Sequence, residues 1–153
     1  MTTWSDFVAA QPRLASSVRA LLYQYGPGLG YLATVRADGA PRVHPVSPVI
    51  AEGGLFCFLI DSPKRRDIER DGRYALHSYP PERTDDEAYL SGRARPVTDQ
   101  AVTQRVATAV RAAPGVDWRL FELTVEVAVL VRRPQSTASS GVPTPVAKQI
   151  WRG

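Results

Sequence analysis

A mainly β fold is what this sequence predicts: six or seven mostly antiparallel strands closing into a small barrel, with an N-terminal helix and two internal helices. Three observations carry that expectation. Apolar runs of strand length are separated by the turn signals Asp38-Gly39 and Glu52-Gly53-Gly54, where glycine reaches positive φ without steric cost. Helical spacing is confined to the start of the chain and to two short internal stretches. The 153 residues, 44% of them hydrophobic, fill one core and leave no room for a second, so a single domain spans 1–153.

The elements follow in order. Trp4, Phe7, Val8, Leu14, Val18, Leu21, Leu22 and Tyr25 recur at helical spacing, and Pro12 is placed to begin a second helical piece. Such a stripe must be buried, so it is read as a cover for a sheet. Gly26-Pro27-Gly28 ends it. Strands are expected over Tyr31 to Arg36, Arg42 to Ile50 and Leu55 to Ile60, then a helix opening at Ser62-Pro63. Arg73 to Tyr79 and Glu87 to Val97 read as further strands around a polar loop. Thr98 is expected to cap a helix from Asp99 to about Ala112, with Val102, Val106, Ala109 and Val110 facing inward and Pro114-Gly115 as the stop. From Leu120 to Val131 one long strand is predicted, with Phe121, Leu123, Val125, Val127, Val129 and Val131 on one face. Residues 134–145, rich in Ser, Thr, Pro and Gly, are expected to form an exposed, flexible connector before a last strand over Val146 to Trp151.

Composition excludes some functions. Cys57 is the only cysteine and has no disulfide partner, and no charged leader with an apolar stretch precedes Trp4, so a cytoplasmic protein is expected. Charges or prolines interrupt every apolar run, which argues against a membrane span. The net charge of +4 suits an anionic ligand, but the cations are scattered rather than striped with aromatics, which argues against nucleic acid. His44 and His77 show no metal-ligand spacing, so no metal is expected. No Gly-x-Ser-x-Gly, phosphate-loop or Gly-x-Gly-x-x-Gly pattern occurs.

The chemistry-bearing stretch is Ser62-Pro63-Lys64-Arg65-Arg66-Asp67. Serine at the cap and proline at the first helical position make a strong helix start with free backbone N–H groups. Lys64 and Arg65 in that first turn oppose the helix dipole unless an anion sits between them, which points to a bound phosphate; a solvated basic turn explains the same residues at small cost. Strand periodicity puts Arg42, His44, Val46, Pro48 and Ile50 on one face. Arg42 and His44 there could hold a charged group, or be an exposed strand end and a surface imidazole. Pro45 and Pro48 cannot donate to a ladder, so that strand is expected at an edge or bulged. Trp118 and Trp151 could stack on a ligand or close an interface.

The order of a helix, Tyr31-Leu32-Ala33-Thr34-Val35-Arg36-Ala37-Asp38-Gly39, Pro41-Arg42-Val43-His44-Pro45-Val46 and then Ser62-Pro63-Lys64-Arg65 resembles the pyridoxamine 5'-phosphate oxidase-like flavin-binding split-barrel family. The resemblance covers Leu14 to about Val97, and Ile150-Trp151-Arg152 is similar to the family's closing strand. It implies a split barrel and a homodimer holding FMN in clefts between subunits. It further implies that Arg42 and Lys64 reach the FMN phosphate with Ser62 and Arg65 as helpers, and that His44, Val46 and Ser47 line the flavin ring. The implied activity is that of a flavin-dependent oxidoreductase acting on a small molecule. An F420-dependent reductase and a non-catalytic flavin- or haem-binding protein are the alternatives. Ser47 stands where flavin and deazaflavin reductases of the family have an aromatic residue, and Pro63 where the oxidase has a second basic one. The sequence ends at Gly153 without the Arg- and His-bearing extension of true pyridoxamine phosphate oxidases, so vitamin B6 oxidation is not expected.

Overall fold

In the computed structural model, which describes residues 1–133 and 146–153, four helices flank one curled antiparallel sheet. The expected connector at 134–145 lies outside the described residues. The N-terminal stripe folds as two helices, α1 (Trp4–Ala10) and α2 (Pro12–Leu22). The break falls where Pro12, at the first position of α2, cannot continue a preceding helix. Thr3 caps α1 reciprocally with Asp6: its hydroxyl accepts from the Asp6 amide at 3.2 Å, and the Asp6 carboxylate accepts from the Thr3 amide at 2.8 Å.

Strands β1 (Gly30–Val35), β2 (Pro41–Val46), β3 (Val49–Ala51) and β4 (Gly54–Ile60) follow, then α3 (Pro63–Arg70), β5 (Arg73–Ser78), β6 (Glu87–Pro96), α4 (Gln100–Val110), β7 (Trp118–Leu123), β8 (Val127–Arg132) and β9 (Ala147–Arg152). The order across the sheet is β2-β1-β5-β6-β7-β4-β3, with β8 also paired to β6 and β9 to β8. β2 and β3 thus stand at opposite ends of the path yet are consecutive in the chain. Ser47-Pro48 joins them, so the sheet must curl until its ends meet at that corner. The result is a split barrel with flanking helices.

Among the described residues nine strands stand where six or seven were expected, because two predicted runs break. Arg42 to Ile50 divides at Ser47-Pro48, where proline removes a ladder donor. Leu120 to Val131 divides into β7 and β8. Ala94 faces Leu123 while Ser91 faces Val127, so Thr124 to Glu126 stand opposite only Gly92 and Arg93. That extra residue is a bulge, and it reverses which face is buried. Hence Phe121 and Leu123 point inward on β7, but Ala128 and Leu130 do so on β8, where Val127, Val129 and Val131 had been expected. Gly92 is required opposite the bulge, since a Cβ there would lie 2.1 Å from the Thr124 carbonyl oxygen.

Two other expectations are corrected. Asp99, not Thr98, caps α4, its carboxylate accepting from the amides of Ala101 (2.8 Å) and Val102 (3.3 Å). Ala109 and Val110 are exposed, because α4 packs on β3 by its first turns and runs past the edge of the sheet.

The main core joins α1 and α2 to the sheet through Phe7, Val18, Leu22, Leu55, Leu90 and Phe121, among others. A smaller cluster of Val49, Phe56, Val106 and Leu120 lies under α4. Among the described residues, no helix is long and apolar enough to cross a membrane.

β2 pairs with β1 alone among the described residues. Its prolines, Pro41 and Pro45, alternate with Val43, and lacking N–H groups they occupy the positions whose amides face away from β1. Val43 is 61% exposed on this rim.

Candidate functional site

A cleft of about 740 Å³ opens where the ends of the curled sheet meet. Its walls come from segments far apart in sequence: Tyr23 after α2, Val46, Ser47 and Pro48 at the β2–β3 corner, Phe58 and Ile60 on β4, Val110 at the end of α4, and Trp118 on β7. Most of this wall is apolar. Phe58 and Trp118 meet edge to face at 4.6 Å between ring centres, which fixes both. The Tyr23 hydroxyl accepts from the Ile50 amide at 2.8 Å, tying the end of α2 to β3. Gly28 closes this corner: a Cβ there would lie 1.9 Å from the Pro48 carbonyl oxygen.

Lys64, in the first turn of α3, is the cation in the cleft lining and makes no ion pair among the described residues. Ser62 begins that helix in the predicted way. Its hydroxyl accepts from the Arg65 amide (3.4 Å) and donates to the Ile60 carbonyl (2.9 Å), so it is occupied with capping. Pro63 follows as the first helical residue.

Arg65 turns inward. It is buried, donating to the carbonyls of Leu59 (3.5 Å) and Asp117 (3.3 Å) and to the Asp117 carboxylate (3.4 Å), with Asp61 and Glu69 each at 3.8 Å. It thereby binds α3 to the segment leading into β7, which carries the cleft residues Ala112, Ala113 and Val116. Its guanidinium is committed to the protein, not to the cleft.

Arg42 lies across Pro63 from Lys64, in a separate recess. Its Nε donates to the Asp67 carboxylate at 2.7 Å. Asp67 is buried on α3 and also accepts from the Thr34 hydroxyl (2.9 Å) and from Arg70 (3.3 Å). Burial raises the Asp67 pKa, but the hydrogen bonds from Arg42, Thr34 and Arg70 outweigh it and hold the carboxyl below its ordinary value of 3.8. Sequence spacing alone had no means of showing this partner. His44 sits half-buried between Arg42 and Val46 on the same face of β2 but does not line the cleft. Of the residues named from the sequence, Val46, Ser47 and Lys64 therefore share the cleft, while Arg42, His44, Ser62 and Arg65 are not in its lining. Phe58 and Tyr23 went unremarked, since aromatic residues in buried strands and helices read as core.

Because the folded pKa of Asp67 is depressed, its stabilisation is present above the unfolded value and is lost as pH falls through and below about 3.8. Asp67→Asn should cost about 2 kcal/mol at neutral pH, as two half-exposed guanidinium groups lose their charge partner. Urea unfolding of both proteins as a function of pH checks this: the gap should narrow on acidification, and a constant gap would assign the effect to packing alone.

Cys57 is buried on β4, and burial pushes its thiol up to about 12 against the opposing charge of Lys64. It is a core residue rather than a nucleophile. Among the described residues, no group of three His, Cys, Asp or Glu side chains could hold a metal ion.

Known structures share this fold. A haem-binding protein from Mycobacterium smegmatis superposes with a TM-score of 0.60 at 18% identity over 88% of this chain, which spans only 57% of that protein. A NimC/NimA family protein from Clostridium acetobutylicum matches at 0.60 and 17% identity, over 87% of this chain and 90% of that one. The haem storage protein HutZ from Vibrio cholerae matches at 0.55 and 20%, over 74% and 91%. At such identities the likeness is one of fold. No curated protein sequence matches. The sequence model described as pyridoxamine 5'-phosphate oxidase, in contrast, matches residues 17–132, a span running from α2 through β8 and holding every strand that builds the cleft; this chain belongs to that family.

Proposed function

We propose that the cleft binds FMN and that the protein is a flavin-dependent oxidoreductase acting on a small molecule, in the cytoplasm and as a homodimer. The observation that carries this reading is a mostly apolar cleft, about 740 Å³ in volume, whose α3 end bears Lys64. Such a shape suits a flat ring system with one anionic tail, and the volume falls within the usual range for ligand sites. The Lys64 ammonium, with the Lys64 amide beside it, would hold the phosphate by charge-assisted hydrogen bonds, since Pro63 has no N–H and the Arg65 amide is taken up by Ser62. Arg42 flanks the same turn from the other side of Pro63 with both terminal nitrogens free of protein partners among the described residues, and would share that task. Val46 and Ser47 would border the ring, with His44 behind them.

When bound, the flavin supplies hydride or electron transfer at its N5 atom. The chain's own part is binding and shielding. Phe58 and Trp118, packed edge to face, would shield the apolar side of the ring from water. No carboxylate, histidine or cysteine lines the cleft among the described residues, which leaves Lys64, Tyr23 and Tyr79 as its titratable side chains.

Haem is the second reading, favoured by the haem-binding relatives of the same fold. Among the described residues the cleft offers it no histidine, methionine or cysteine as an axial ligand but Tyr23 and Tyr79, and Tyr23 is already engaged by Ile50. F420 suits the cleft on the same grounds as FMN. The visible spectrum of the purified protein titrated with each compound decides. A saturable flavin spectrum, with turnover on a nicotinamide donor, is expected; a Soret band alone, or binding without turnover, overturns the enzyme reading.

A further inference from the structure

The segment 111–117, which joins α4 to β7, supplies part of one cleft wall through Ala112, Ala113 and Val116. It is weakly fastened. Arg111 ends α4 in the left-handed region at φ 53°, and Gly115 turns the chain again at φ 76°. Apart from Ala112, every residue of the segment is exposed. Among the described residues, 113–117 is hydrogen-bonded to the flanking elements at its two ends. The Trp118 indole donates to the Ala113 carbonyl at 3.4 Å, and Arg65 donates to the carbonyl and the carboxylate of Asp117 at 3.3 and 3.4 Å. All three are longer than the usual N–H···O distance of about 2.9–3.0 Å. A stretch with few backbone bonds and little buried surface opens locally at low cost.

Arg65 is imperfectly satisfied in holding it. The residue is 7% exposed, and its Nε has no hydrogen-bond partner among the described residues. An unmet buried donor on a charged group is costly. An acceptor stands just out of reach: the Glu69 carboxylate, one turn further along α3, lies 3.8 Å from that nitrogen while accepting from Arg119 at 2.6 Å. A carboxylate accepts from several donors, so Glu69 can take up Arg65 without releasing Arg119.

We propose that 111–117 is a strap that opens and closes the cleft, with Arg65 as its latch. Closed, Arg65 holds Asp117 and leaves Nε unmet. Open, Asp117 departs and Arg65 shifts onto Glu69, which satisfies Nε. Two long bonds are exchanged for one charge-assisted bond in a buried place, so the two states lie close in free energy, as a switching element requires. Opening removes part of the cleft wall and admits a ligand that closure then encloses. This rests on the cleft being the ligand site of the protein, and is indifferent to which ligand enters.

Nuclear magnetic relaxation dispersion on the isotope-labelled full chain, without ligand, tests the strap. Exchange on the microsecond-to-millisecond scale is expected at the strap amides and at the Trp118 indole. Two variants at exposed positions should move the open population in opposite directions. Asp117→Ala loosens the closed state and raises that population about threefold, whereas Glu69→Ala removes the open-state acceptor and lowers it about threefold, the size of one exposed charge contact. Asp61→Ala, which takes an exposed carboxylate from Arg65 in both states, should leave it nearly unchanged. Flat dispersion across the strap, or shifts of the same sign in Asp117→Ala and Glu69→Ala, overturns the latch. Stopped-flow mixing with FMN gives a second readout: Asp117→Ala should raise the association and dissociation rates together, and rates that stay put while the open population rises overturn the gating. Absence of FMN binding defeats the flavin reading alone, since the ligand-free exchange decides the strap.

Discussion

Replacing Lys64 and Arg42 together by alanine is expected to weaken FMN binding by about 3 kcal/mol or more, roughly a hundredfold, because two charge-assisted contacts to one dianion are lost. The residues come from different elements, α3 and β2, and flank the same helix turn. The single variants should differ. Lys64 lines the cleft and makes no ion pair among the described residues, so Lys64→Ala removes a ligand contact and little else. Arg42→Ala also takes a donor from the buried Asp67 and should lower stability as well as affinity. Calorimetric titration of FMN into the three variants, with circular dichroism to confirm folding, measures both effects. An unchanged affinity in the double variant would remove the phosphate from this end of the cleft.

Phe7→Ala is expected to destabilise the fold by about 3–5 kcal/mol, the usual range for emptying a fully buried aromatic site. Phe7 is wholly buried, edge-on to Trp4 at 5.4 Å and tilted against Trp151 at 4.9 Å between ring centres. It therefore fastens α1 to β9, which both lie outside the span matched by the family model. The Val125 amide donates to the Thr2 carbonyl and the Gly153 amide to the Glu126 carbonyl, so both chain ends close on the bulge between β7 and β8. A cavity at Phe7 should loosen that whole corner. Urea unfolding gives the stability change, and hydrogen exchange should show lost protection in α1 and β9 before the cleft. A loss below 1 kcal/mol would mean that Trp4 and Trp151 collapse into the space.

Where most strands fall along the chain was legible because glycine turns and two-residue alternation report local backbone geometry. Ser62-Pro63 was legible as a helix start for the same reason, since cap and first-turn chemistry is local. The break between β7 and β8 was not. Alternation from Phe121 to Val131 runs on without interruption, and the extra residue shows only in the pairing with β6, which is a tertiary fact. Thr98 and Asp99 are both good caps, and only the backbone path chooses between them. Lys64 and Arg65 are neighbours of similar charge; one faces the cleft and the other is buried on Asp117, a distinction set by helix rotation against β4 and by a segment some fifty residues away. The cleft itself was least visible, since Tyr23, Phe58, Val110 and Trp118 converge only when the sheet curls.

The rim formed by β2 has a consequence for self-association. Pro41 and Pro45 leave Val43 as the lone outward amide donor between them, so a strand from another molecule finds too few rungs to join. Concentrated protein should resist fibril growth seeded there. Any contact between copies along this side must then be made by side chains, and the two sheets cannot merge into one.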